Sequence, residues 1–393
     1  MVMLKIIEER GYFFQCTDRE ALEHRLHSGE KLVFYLGFDC TASAIHLGHL
    51  VPLMLMRLVK SYGHEVIILL GGGTTLIGDP SGKDKSRKIL SREEINRNVD
   101  TISKIVKRVV GDVRFVNNVD WLEDIRYIDF LRNVGRHFSI NRMLTFDSVK
   151  SRLDRESHLS FLEFSYMILQ AYDFVELNRL YNCSVQVGGG DQWGNIVNGV
   201  ELGRKLRNTQ LFGLTVPLIT TASGKKMGKT EEGAVWLDAD LYSPHDYWQY
   251  FRNTEDSDVE RFLRLFTELP IDEIETLSAC DDAQINEAKK VLATEATRIC
   301  HGSVIAEEVS TSIIKAFEED DLSQLPEIRV PHGANIIDVV IRIEAASSRT
   351  QAKRLIESGA VKIDKKKILT YNLDLPEQFV VSVGKKQRNI IVT

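Results

Sequence analysis

VFYLGFDCTASAIHLGHL, Val33 to Leu50, starts as an apolar run that reads as a buried strand and ends in a segment that opens a helix. Gly37 lets another group approach the strand backbone closely, and His46-Leu47-Gly48-His49 offers free amides where a helix dipole favours phosphate. Working outward, Val66 to Leu70 (VIILL) reads as a second strand ending at Gly71-Gly72-Gly73, with Leu47 to Ser61 helical between them. Pro52 falls near the first turn of that helix, where missing amide donors cost little. Ser91 with Glu94 forms a capping box ahead of a helix to about Val110, Val113 to Val116 reads as the next strand, and Ser160 with Glu163 repeats the cap. Short strands alternating with amphipathic helices predict an α/β fold with a parallel sheet. Beyond Pro244 the strand signal fades, and helical periodicity runs to about Glu319.

The 393 residues allow two or three domains. With 43% hydrophobic and 27% charged residues, usage is that of an ordinary globular chain and excludes a disordered or low-complexity polymer. No apolar run approaches the roughly 18 residues of a spanning helix, and Met1 to Gly11 lacks a basic n-region, so a soluble cytoplasmic protein without membrane contact is expected. Five scattered cysteines without a Cys-x-x-Cys pair suit thiols in a reducing compartment, with no structural zinc.

The net charge of −6 is unevenly spread. Met1 to Pro244 carries 31 basic and 30 acidic residues, His245 to Val330 carries 8 and 20, and His332 to Thr393 carries 11 and 6. The basic tail has a helix-like stretch, Ser348 to Ser358, followed by strand-like Val361–Ile363 and Phe379–Val383. It is read as a small RNA-binding module, with a solvated charged surface as the alternative. Glu318 to Pro331, acidic and with two prolines, is read as holding a linker.

Three clusters carry chemistry. His46 and His49, one turn apart around Gly48, would flank an adenine or ribose and hydrogen-bond phosphate oxygens; a capping pair or an incomplete metal site are the alternatives. Thr220 to Thr230 (TTASGKKMGKT) places Lys226 and Lys229 in a Gly-rich loop suited to stabilising a leaving pyrophosphate, a solvated basic loop being the alternative. Tyr166, Gln170 and Asp173, spaced i, i+4, i+7, share one face of the helix after Ser160, as a binding face or as a polar seam between helices.

HLGH followed by KMGKT resembles the HIGH and KMSKS signatures of class I aminoacyl-tRNA synthetases. With LIGDPSGK (Leu76–Lys83), FLEFSYMILQAYDF (Phe161–Phe174) and GGGDQWGNI (Gly188–Ile196), the chain resembles the bacterial-type tyrosyl-tRNA synthetases, and SSRTQAKRLIESGAVKID (Ser347–Asp364) is similar to an S4 RNA-binding domain. The resemblance covers essentially the whole chain. It implies a Rossmann-like parallel-sheet catalytic domain over 1–225, a KMSKS-type loop and all-α anticodon-binding domain over 226–325, a linker over 326–331, and a small α+β S4-like domain over 332–393.

The resemblance also implies ligation of tyrosine to its tRNA by way of tyrosyl-adenylate. Tyr166, Gln170 and Asp79 correspond to positions that hold the substrate ammonium, Tyr35 and Asp173 to those that read the tyrosine hydroxyl, and Gln192 to one near the carboxylate. Such a site rejects phenylalanine by roughly 10⁴ to 10⁵, a scale measured in this same enzyme family. Thr41 and His46 would hold the γ-phosphate; Lys83, Arg87, Lys226, Lys229 and Thr230 would close over pyrophosphate. Gly37, Asp39, Gly48, His49, Gly189, Asp191 and Met227 would line the ATP site. Leu36, Cys40 and Gly190 depart from residues common in the family at the ribose side, after Asp39 and before Asp191.

ATP is expected as substrate with Mg2+, with no tightly bound cofactor and no dedicated protein metal site. In the tail, Arg349, Lys353, Arg354, Lys362, Lys365 and Lys366 are the expected RNA contacts, a solvated lysine-rich hairpin being the alternative. A homodimer binding tRNA(Tyr) across subunits follows from the resemblance. Competing readings are a tryptophan-specific synthetase, a pantothenate-synthetase-like ligase, and a silent RNA-binding protein. The Tyr35, Tyr166, Gln170, Asp173 set opposes the first, the basic tail the second, and the intact HLGH and KMGKT elements the third.

Overall fold

Strands β1 (Gln15–Cys16), β2 (Val33–Phe38), β3 (Glu65–Leu70), β4 (Arg114–Asn117), β5 (Val185–Gly189) and β6 (Phe212–Val216) form one sheet in the order β1-β6-β5-β2-β3-β4. All neighbours are parallel except β1, which is antiparallel to β6. The computed structural model describes residues 2–79, 90–222, 224, 227–230, 233–279, 284–318, 325, 327–384 and 386–393.

The sheet is buried on both faces, which is why its strands lack polar alternation. Val33, Tyr35, Ile67 and Leu69 pack against Phe174 and Leu177 of the Phe161–Tyr181 helix. The alternate residues Phe34, Leu36, Ile68 and Leu70 are equally buried, on the side of the Leu50–Ser61 helix. Both predicted capping boxes form: Ser91 starts Arg92–Val110 and Ser160 starts Phe161–Tyr181. The predicted helix from Leu47 opens as a 3-10 turn, Leu47–His49, and becomes α-helical at Leu50.

By packing, the chain divides into two units. The first comprises Met1–Met227, Trp236–Leu241 and Thr254–Leu292. It therefore includes helices Val259–Phe266 and Ile271–Ser278, which the sequence reading placed in the separate helical domain over 226–325. The cause is a long-range clamp. Buried Arg10 donates to the carbonyls of Arg264, Thr267 and Leu269 at 3.2, 2.8 and 2.6 Å, and the Tyr12 hydroxyl to that of Leu265 at 3.1 Å. A guanidinium at a helix C-terminus satisfies carbonyls that the helix cannot and opposes its dipole.

The second unit comprises Gly228–Val235, Tyr242–Asn253 and Ala293–Thr393. It begins with a ribbon of β7 (Lys229–Thr230) and β8 (Gly233–Ala234). In the helical part, Trp248 Nε1 donates to Thr294 Oγ1 at 3.0 Å, and the Tyr247 hydroxyl meets Cys300 Sγ at 3.0 Å. Strands β9 (Glu327–Val330), β10 (Val361–Ile363), β11 (Lys366–Lys367), β12 (Gln378–Val383) and β13 (Lys386–Val392) form a second sheet, ordered β11-β10-β12-β13-β9. Helices Ile336–Arg342 and Arg349–Glu357 pack on it through Ile336, Val340 and Ile356.

The linker expected at 326–331 is corrected here: Glu327–Val330 is a strand, parallel to β13 with Val330 opposite Val392. Its short polar sequence concealed a pairing that spans more than sixty residues of chain.

Candidate active site

In the strand order, β2 leads to β3 and β4 on one side while β5 leads to β6 on the other, so the direction of winding reverses between β2 and β5. Ligands bind outside the carboxyl ends of parallel strands at such a switch point. Those ends carry Gly37 within β2 and Asp39 and Thr41 after it, and Gly189 at the end of β5 with Asp191 and Gln192 after it. Gly37 is the one exposed residue of β2, and a Cβ there would meet nothing closer than Leu69 at 3.9 Å. The fold does not require this glycine; the open space above it suits a ligand lying on the strand.

His46 is the N-cap of the 3-10 turn. Its Nδ1 accepts from the Gly48 amide at 3.0 Å, and His49 Nδ1 accepts from the His46 amide at 3.3 Å. In the neutral ring the His46 proton therefore sits on Nε2, so His46 serves as an Nε2 donor, whereas His49 Nδ1 lies 3.3 Å from both the amide and the carbonyl of His46, which admits either tautomer. The capping alternative is thus true of both side chains and leaves the His46 donor in place. Trp236, six residues beyond Thr230, pairs with His46 as an isolated bridge, and Leu237 donates to the Ile45 carbonyl at 2.9 Å. The Met227 amide donates to Ile219 at 3.0 Å. Lys83, Arg87 and Lys226 lie outside the described residues, as do the side chains of Lys229 and Thr230.

On the Phe161–Tyr181 helix, Tyr166 and Asp173 are buried and Gln170 is half-buried. Gln170 Nε2 donates to Gln192 Oε1 at 3.3 Å, and Gln192 Nε2 to Asp79 Oδ2 at 3.0 Å, so three predicted residues form one chain of hydrogen bonds. The buried Gln170 Oε1 has no partner among the described residues.

Asp173 is held by two residues that the sequence reading missed. Trp121 Nε1 donates to its Oδ1 at 2.8 Å, and Asn118 Nδ2 to its Oδ2 at 2.9 Å. Asn118 and Trp121 follow β4, at the same edge as the other site loops; that position is the only signal, and it needs the strand order to be read. Asn118 also donates to Thr74 Oγ1 at 3.0 Å, and Thr74 to Asp39 Oδ1 at 2.9 Å, so a continuous network joins Asp39 to Asp173. Gly71 makes room for it, since a Cβ there would lie 2.5 Å from Thr74 Oγ1 and 2.6 Å from Asp39 Oδ1.

Burial pushes the Asp173 carboxyl up to about 7 from an ordinary 3.8, opposed by the Asn118 and Trp121 bonds and reinforced by the Asp39 charge. Burial and the Asp173 charge also raise the Tyr35 phenol well above its ordinary value, so Tyr35 stays a neutral hydroxyl. Its oxygen is buried without a partner among the described residues. Leu36, on the other sheet face, is buried in the core. Burial, then the Asp39 charge, push the Cys40 thiol up to about 12, which leaves it inert at neutral pH.

A model of class I tRNA synthetases (W and Y) matches residues 27–318, and one of the S4 domain matches 337–377. A tyrosine–tRNA ligase of Wolbachia sp. subsp. Brugia malayi is 54% identical over 372 residues, 92% of this chain and 89% of that relative. The chain belongs to the class I tyrosyl-tRNA synthetases. A tyrosine–tRNA ligase of Ehrlichia ruminantium (strain Welgevonden) is 52% identical over 407 residues, 99% of this synthetase and 97% of that one. Among solved structures, a C-terminally truncated mitochondrial tyrosyl-tRNA synthetase of Aspergillus nidulans superposes with a TM-score of 0.72 at 30% identity, over 80% of this chain and 94% of that one.

In the S4 domain, Arg349, Lys353, Arg354, Lys362, Lys365 and Lys366 are all exposed. Asp364 and Lys365 both have positive φ, 45° and 67°, and make the tight turn between β10 and β11 that presents these lysines. Arg349 pairs with Asp338, and Lys353 lies over the Tyr371 ring at 5.2 Å.

Proposed function

We propose that Asp173 and Tyr35 carry the tyrosine selectivity of this ligase, and that the switch-point residues carry out adenylate formation by positioning and charge stabilisation. The observation that carries the reading is a buried carboxylate, already oriented by Asn118 and Trp121, beside an unpartnered Tyr35 hydroxyl. A tyrosine hydroxyl entering there would donate to Asp173 and accept from Tyr35. Asp79, Tyr166 and the free acceptor Gln170 Oε1 would take the substrate ammonium, with Gln192 beside the carboxylate.

The tyrosine carboxylate oxygen then attacks the α-phosphorus of ATP, a new P–O bond forms, and the bond to pyrophosphate breaks. His46 and Thr41 would donate to the γ-phosphate, with Gly37, Asp39, Gly48, His49, Gly189, Asp191 and Met227 around adenosine. Lys83, Arg87, Lys226, Lys229 and Thr230 would neutralise the leaving pyrophosphate, and magnesium would arrive as part of the ATP substrate. In the second step a terminal ribose hydroxyl of tRNA attacks the adenylate carbonyl and AMP leaves. The exposed tail lysines and arginines support tRNA binding there. Tyr127, Ile128, Ile140, Leu153 and Phe161, large and exposed along one stretch, support burial against a second copy. The family and the lack of a helix long and apolar enough to cross a membrane, among the described residues, are consistent with a cytoplasmic site of action.

Pyrophosphate exchange into ATP, run with each of the twenty amino acids and no tRNA, tests the reading. Exchange driven by tyrosine alone is expected; exchange driven by tryptophan would overturn the pocket. The pH profile gives a second test. Asp173 accepts from two donors, an arrangement that suits its ionised form, and the ionised fraction drops tenfold per unit below its pKa. The kcat/KM for tyrosine should therefore rise with pH, flatten near 7, and lose that limb in Asp173→Asn. The same shift has a cost: between 3.8 and about 7 the folded chain holds a proton that the unfolded chain has lost, so this group's contribution to stability falls as pH rises through that window.

A further inference from the structure

Arg388 is the one arginine of β13, and it is 6% exposed, unlike the tail's solvent-facing cations. Its Nη2 lies 2.6 Å from both carboxylate oxygens of Asp246, in the first turn of the Pro244–Arg252 helix. Asp246 is pre-oriented: Ser243 Oγ donates to its Oδ2 at 2.7 Å, and its own amide donates back to Ser243 Oγ at 3.1 Å. One turn further along the same helix face, the Tyr250 hydroxyl accepts from the Gly228 amide at 3.4 Å, at the foot of the β7–β8 ribbon. A single helix thus contacts the KMGKT segment with one turn and the S4 sheet with the preceding one.

An ion pair between a buried guanidinium and a half-buried carboxylate is weak evidence for stability, because desolvation offsets much of its attraction, but it favours one geometry. A hydrophobic contact would let two small modules slide; a buried guanidinium on a capped carboxylate does not.

We propose that the Asp246–Arg388 pair is a positioning lock that fixes the S4 domain on the Pro244–Arg252 helix and so sets where its basic surface meets tRNA. Arg388 contributes through Asp246 and makes no phosphate contact. The proposal rests on the tRNA-ligase reading, and the two are tested by separate reactions.

The test uses the full-length enzyme and a tyrosine-accepting tRNA transcript, with tyrosine-dependent pyrophosphate exchange measured alongside aminoacylation. Absence of exchange in the wild-type enzyme would defeat the ligase reading and not the lock. Arg388→Met is expected to raise the KM for tRNA about tenfold, with the exchange rate and the KM for tyrosine unchanged. Asp246→Asn, which keeps the cap with Ser243, should have a similar effect, and the double variant should be no worse than either alone. Arg388→Lys should recover part of the loss. An unchanged KM for tRNA in Arg388→Met and Asp246→Asn, multiplicative losses in the double variant, or an equal fall in exchange would each overturn the lock. Asp246→Asn keeps the proposal open to refutation if Arg388→Met fails to fold.

Discussion

Asp173→Ala is expected to lower kcat/KM for tyrosine about 10³-fold while leaving that for phenylalanine nearly unchanged. In the wild-type protein Asp173 is buried and both its oxygens are engaged, by Trp121 Nε1 and Asn118 Nδ2. Removing the carboxylate leaves those two donors without their acceptor, and a bound tyrosine would bury its hydroxyl without the carboxylate to receive it. Phenylalanine has no hydroxyl to strand, so it escapes that penalty. The preference for tyrosine, roughly 10⁴ to 10⁵ in tyrosyl-tRNA synthetases, should collapse to roughly 10 to 10². Exchange assays with the two amino acids give the ratio, and thermal unfolding serves as control. A ratio that does not move would place selectivity away from Asp173.

His46→Ala should slow adenylate formation by about 10² to 10³, the usual effect of removing one preorganised donor from a transition state. Two functions of the ring must be separated. Nδ1 caps the 3-10 turn through Gly48, whereas Nε2–H is the group available to a phosphate. Loss of the cap costs about 1 kcal/mol. Asparagine can keep the cap with its side-chain oxygen but does not reach as far as Nε2. His46→Asn should therefore melt close to the wild-type temperature yet remain as slow as alanine in single-turnover activation, with the affinity for tyrosine intact. A fast asparagine variant would reduce His46 to a structural cap.

Elements set by neighbouring residues were legible in the sequence. The apolar run at β2, and the serine–glutamate pairs that start Arg92–Val110 and Phe161–Tyr181, depend on contacts within one turn or one strand. Tyr166, Gln170 and Asp173 were legible as a shared face because helical spacing alone puts them together. What escaped was set by distant partners. Asn118 and Trp121 gain meaning only once β4 lies beside β3 and its following turn faces the Phe161–Tyr181 helix. Glu327–Val330 has too few residues to show alternation, and it is a strand because β13 offers it an edge. The helices between Thr254 and Leu292 were assigned by sequence proximity, and Arg10 overrides proximity.

That clamp imposes an order on synthesis. Arg10 is made 257 residues before the Thr267 carbonyl that receives it. At roughly 5 to 20 residues per second, the ribosome takes about 10 to 50 s to cover that interval. Throughout it, Arg10 has no Thr267 or Leu269 carbonyl to donate to, even after every strand of the catalytic sheet has emerged. A fragment ending at Met227 would hold the whole six-stranded sheet, with β1 paired to β6, and still lack the carbonyls that receive Arg10. Arg10 is thus synthesised long before the carbonyls that secure it, so this clamp closes only after the catalytic sheet is complete.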